Sequence, residues 1–142
     1  MTRPWRVVDV ASLPWPHDPF RRHWVERFRD AAAEATTDAQ RQEIVRDIAL
    51  GLTPVEVSAC SYHDADWRTA AATAIAVVES GEACWKALDD AARETNLDDD
   101  TTEAFLSFFI EPIFVNGTSL GSGQHRVCAM KLANVPRCPI EM

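Results

Sequence analysis

From Phe20 to Phe109 the sequence keeps helical periodicity, and prolines fence that block off on its N-terminal side. Pro14, Pro16 and Pro19 fix φ and remove backbone donors, so no helix can begin before about Phe20. After Phe109 the character changes again, to short β-branched runs, glycine turns and further prolines. A chain built this way must be mostly helix, with its sheet drawn from the two ends.

Inside the block, punctuation marks about six helices. Phe20, Trp24, Phe28, Ala31 and Ala35 recur at three- and four-residue steps and predict a first amphipathic helix. Asp38 can cap a second, with Ile44, Val45, Ile48 and Leu52 on one face and Gly51 near its end. Thr53-Pro54-Val55-Glu56 has the form of a capping box with proline at the first helical position, opening a short helix that ends near Tyr62. Asp64 or Asp66 starts a fourth through Ala70–Val78, stopped by Gly81. The fifth runs from Glu82 to about Thr95, with Trp85, Leu88 and Ala92 inward. Asp100-Thr101-Thr102-Glu103 is another capping box and opens a sixth through Phe105 and Phe109. The run Asp98-Asp99-Asp100 reads as a solvated cap.

At the N-terminal end, Trp5-Arg6-Val7-Val8-Asp9-Val10 reads as one strand. At the other end, Pro112–Val115 is a short strand, Asn116-Gly117 a hairpin signal because both positions tolerate φ > 0, and Ser119-Leu120 the return strand. Gln124–Asn134 is helical, packing through Val127, Met130 and Leu132, and Val135–Ile140 is extended. The expected fold is α+β: a small mixed β-sheet from the N- and C-terminal segments with a large helical insertion. Residues 1–142 form one domain: a strand and proline-rich arm over 1–19, a helical region over 20–111, and hairpin, Gly-rich box, helix and final strand over 112–142.

The length of 142 residues suits one core, and 46% hydrophobic with 25% charged residues is ordinary for a globular chain. The net charge is −8, a field that repels phosphate backbones and disfavours duplex DNA as a partner of this chain alone. The charge is uneven. Residues 112–142 carry Arg126, Lys131 and Arg137 against Glu141, a net of +2, which leaves −10 on residues 1–111. Cys60, Cys84, Cys128 and Cys138 lack C-x-x-C spacing and read as reduced thiols. No signal-peptide pattern or membrane-length apolar run is visible, so a cytoplasmic protein is expected.

Three of the five glycines, Gly117, Gly121 and Gly123, fall within seven residues and precede Gln124-His125-Arg126 at a helix start. Glycines let a backbone approach an anion closely and turn its N–H groups inward. A helix N-terminus adds positive potential, and Arg126 can supply a bidentate donor pair. Gly121, Ser122 and Gly123 would form the cradle, Gln124 and His125 would add side-chain hydrogen bonds, and Arg126 would clamp the charge. The same glycines also suit a plain hairpin and strand-to-helix turn, and spacing alone does not separate the two.

The order of these pieces resembles the ParB/sulfiredoxin superfamily. Pro112-Ile113-Phe114-Val115 matches its P-I-x-V strand, Gly123-Gln124-His125-Arg126 its G-x-H-R box, and Val135–Ile140 its closing strand, with Val7–Val10 as the first strand. The resemblance implies a nucleotide site, ATP or CTP with Mg²⁺, with phosphates on Gly123, His125 and Arg126. Gln124 departs from it: sulfiredoxins carry their reactive cysteine there and ParB proteins a glutamate. Binding is therefore better supported than turnover, and any chemistry would be nucleotide hydrolysis or phosphoryl transfer.

Other residues have plainer readings. His63-Asp64-Ala65-Asp66 suggests a metal cluster, but a turn with an aspartate helix cap explains it with fewer demands, and no metal ligands are assigned. Trp24 and Trp85 fit core faces, and Trp5 and Trp15 fit packing of the arm. Cys128, near His125 and Arg126, is the one cysteine placed for a lowered pKa. The alternative to nucleotide binding is a helical protein–protein interaction or inhibitor module without a small-molecule ligand. It would expose apolar side chains on the helical region and close the box with its own side chains.

Overall fold

The computed structural model describes residues 5–17, 25–58, 60, 63–81 and 83–142. Among these, β1 (Trp5–Asp9) leads through a 3₁₀ turn (Val10–Ser12) into the arm, and six helices follow. They are α1 (Val25–Ala31), α2 (Asp38–Leu50), α3 (Pro54–Ser58), α4 (Trp67–Ser80), α5 (Trp85–Glu94) and α6 (Asp99–Ile110). The hairpin β2 (Phe114–Asn116) and β3 (Ser119–Ser122), helix α7 (Gln124–Leu132) and β4 (Arg137–Glu141) complete an α+β fold. Phe20, Trp24 and Tyr62 lie outside the described residues.

Local chemistry accounts for most helix ends. Thr37, one residue before Asp38, caps α2 in a full capping box with Gln40. Thr53 and Glu56 exchange bonds of 3.1 and 3.2 Å across the start of α3. Asp66 caps α4 through the Thr69 amide, and Gly81 ends that helix at φ +76°. Asp98, two residues before the predicted box, accepts from the Thr101 amide and starts α6. α5 begins at Trp85, and Glu82, the predicted start, lies outside the described residues. Trp85 stands in the first turn, 55% exposed, while Leu88 takes the buried position.

The chain's ends do meet, but the expected single mixed sheet is two antiparallel ladders. β1 pairs β4 with Trp5 opposite Glu141 and Asp9 opposite Arg137. Among the described residues the hairpin strands ladder only with each other, and a register shift between Phe114 and Val115 interrupts that ladder. A bulge of this kind bends a strand and increases its twist. One backbone bond, Glu141 N–H to Ile113 O at 2.8 Å, links hairpin to β4. The turn is Gly117-Thr118 rather than Asn116-Gly117, because Asn116 still pairs with Ser119. Gly117 sits at φ +65°, the conformation a two-residue turn needs at its first position.

The main core joins β1, α4–α7 and β4. Phe105, Phe108 and Phe109 are its largest fully buried side chains, each worth about 2–3 kcal/mol of burial. Trp67 meets Phe108 edge-on at 6.0 Å, and Trp5 meets Phe109 at 5.3 Å. A second cluster of Phe28, Ala32, Val45, Ala49 and Cys128 packs α1 and α2 on α7, with Trp15 at its edge.

Candidate functional site

The six box residues do come together, at the junction of β3 and α7. Gly121 and Ser122 end β3, Gly123 is the α7 N-cap at φ +86°, and Gln124, His125 and Arg126 form its first turn. The glycines, however, make room for neighbouring side chains. A Cβ at Gly121 would overlap the Phe114 ring, and one at Gly123 would stand 2.6 Å from Ile113 Cγ1. In the hairpin register Gly121 is the extra residue between Leu120 and Ser122, and it lies beside the Phe114 ring.

Arg126 turns inward. It is 7% exposed. Its Nη1 donates to Ser107 O at 2.9 Å and to Ser107 Oγ at 3.4 Å, and its Nη2 donates to Glu111 O. These acceptors lie at the C-terminal end of α6, where the dipole is negative; Ser107 O also takes the Glu111 amide at 3.1 Å, and Glu111 is the residue that ends the helix. The guanidinium is thus a clamp on α6. Gln124 Oε1 accepts the His17 amide at 2.9 Å and ties the arm to α7. Neither Gln124, His125 nor Arg126 is without a partner.

Lys131 is engaged in the same way. Its Nζ donates to Val10 O at 3.0 Å and lies 5.0 Å from the centroid of the Trp15 ring. Burial holds its pKa below the usual lysine value. Two of the three cations that give residues 112–142 their positive charge therefore serve internal carbonyls. The third, Arg137, is exposed on β4.

These residues do not form the clamp that ATP or CTP with Mg²⁺ would require: the guanidinium is held on α6 and the glycines pack against Phe114 and Ile113. Cys128 is buried, and that burial pushes its thiol up to about 12, opposite in direction to a reactive cysteine. Cys138 is likewise pushed up to about 12 by burial.

At the His63–Asp66 segment, Asp66 is the α4 cap. Its carboxylate accepts from Thr69 N at 3.1 Å and Thr69 Oγ1 at 2.6 Å. These bonds lower its pKa, the hydroxyl bond most. Among the described residues, no group of three or more His, Cys, Asp or Glu side chains could hold a metal ion. No helix is long and apolar enough to cross a membrane among them.

The roles of Arg126 and Lys131 had no signature in the sequence. Each acts on a backbone carbonyl supplied by a distant segment, and such acceptors carry no residue-type signal. The chain matches no protein-family model, no curated protein and no solved structure. The ParB/sulfiredoxin resemblance thus rests on the box residues and strand order alone.

Proposed function

We propose that this protein is a helical interaction module that binds another protein. The inward-facing box carries the reading: Arg126, the residue best suited to clamp phosphate, is bonded to Ser107 and Glu111 carbonyls. Surface character supports it. Leu50, Val55, Trp85 and Ile110 are each more than half exposed on the helical region. Large aromatic side chains in such positions commonly anchor interfaces. Over residues 67–111, Arg68, Lys86 and Arg93 face ten carboxylates, a net of −7. A partner with a basic rim and an apolar centre complements that surface, and charge of this density steers its approach.

The test pairs two measurements. Isothermal calorimetry with ATP, CTP or GTP plus Mg²⁺ is expected to show no binding. Affinity capture with the whole protein as bait is expected to retain a partner that Arg126→Lys keeps and Trp85→Glu loses. Nucleotide binding that weakens in Arg126→Lys would overturn the reading.

The nucleotide reading keeps one support: α7 has no side-chain N-cap bond. First-turn amides could hold a phosphate by backbone alone, a weak site without a clamp. The calorimetry above decides this as well.

A further inference from the structure

Arg6 contrasts with the cations of the box. It is exposed on β1, and no ion pair involves it among the described residues. It lines a cleft of about 390 Å³ where β1, the arm, α2, the hairpin turn and β4 converge. Strand alternation puts Arg6 and Val8 on one face of the ladder, together with Ile140 directly across from Arg6. Val8 and Val115, both half-buried, give the cleft its accessible apolar lining; Leu13 and Ile140, 6% and 1% exposed, form its closed floor, and Gln42 and Thr118 add polar groups.

The departure that splits the sheet also leaves this space. Had the hairpin continued the β1–β4 ladder, its strands would lie within hydrogen-bonding distance and leave no gap. Instead, beyond the Glu141–Ile113 bond, the hairpin makes no ladder with β4 among the described residues. The far wall is pinned: Gln42 Nε2 donates to Thr118 O at 2.9 Å, and Ser119 Oγ donates to Asp38 Oδ2 at 3.1 Å. The cleft is open at the turn, since nothing lies within 4 Å of a Cβ placed on Gly117.

We propose that this cleft binds a small monoanionic molecule with an apolar body, its carboxylate paired with the Arg6 guanidinium. Arginine and carboxylate match as a bidentate pair, and the aliphatic lining receives the body. A single cation on a protein of net charge −8 favours one negative charge over a polyphosphate. The volume falls in the range of small-molecule sites, which begins at about 300 Å³. The proposal is independent of the partner-binding reading.

The test is an NMR titration of the whole ¹⁵N-labelled protein with 4-phenylbutyrate, and with 4-phenylbutan-1-ol as the uncharged counterpart. Saturable shifts are expected at the amides of Arg6, Val8, Val115 and Thr118. Arg6→Gln should weaken binding about tenfold, the loss of one charge-assisted pair. Thr118→Trp, an exposed turn position, should abolish binding by filling the cleft. The proposal is overturned if the carboxylate gives no saturable shift up to about 10 mM. It is equally overturned if the alcohol binds as well, or if both variants bind like the parent.

Discussion

Arg126 sits at the N-terminal end of one helix and acts at the C-terminal end of another. A guanidinium is always charged, and at 7% exposure it needs fixed acceptors. The carbonyls of Ser107 and Glu111 provide them at the C-terminal end of α6. Arg126→Ala removes those donors and leaves the Ser107 and Glu111 carbonyls with less compensation. It should cost about 2–4 kcal/mol, read as a lower urea midpoint with an unchanged slope. Arg126→Lys should restore part of the loss. A surface phosphate ligand would instead change stability little on truncation. The box was legible in the sequence as a glycine-rich helix start, and residues 121–126 do form one. The direction of the guanidinium was not legible, because Ser107 and Glu111 announce nothing at that distance along the chain.

At the level of elements, caps were the most readable signals, since each is settled within four residues. Thr53–Glu56 forms the predicted box, and Asp66 and Gly81 bound α4. At α2 and α6 the caps stand one and two residues before the predicted ones, where neighbouring polar groups could each cap. At α2, Thr37 and Asp38 compete, and Thr37 prevails because Gln40 reciprocates. The α4 cap makes a pH prediction. Bonding to Thr69 lowers the Asp66 pKa from its ordinary value of 3.8. A carboxyl lowered by folding contributes stability above its unfolded value, and that contribution disappears as pH falls through the folded value. Stability should therefore decline below about pH 4, and Asp66→Asn should flatten that limb. Near neutrality the asparagine cap should cost well under about 1 kcal/mol, because asparagine caps nearly as well. Thermal melts of both proteins across acid pH check this.

Across the whole molecule, β4 joins the chain's two ends. Cys138 and Ile140 are 0% and 1% exposed, and β4 is the only partner of β1 among the described residues. Deleting residues 137–142 should remove both the ladder and an isoleucine worth about 2–3 kcal/mol of burial. The cooperative thermal transition followed by circular dichroism should be lost or lowered by about 10 °C or more. A truncated chain that melts like the parent would show that the end-to-end ladder is peripheral.

The sequence by itself determined the helical block, the strands at either end and the α+β class. Those follow from periodicity, proline placement and capping chemistry, all of which act over a few residues. Only the tertiary structure decided that the sheet is two ladders, that Trp85 faces outward, and that Arg126 and Lys131 serve internal carbonyls while Arg6 lines a cleft. Each of those outcomes depends on which distant backbone or apolar surface arrives beside the residue, and packing alone selects that neighbour.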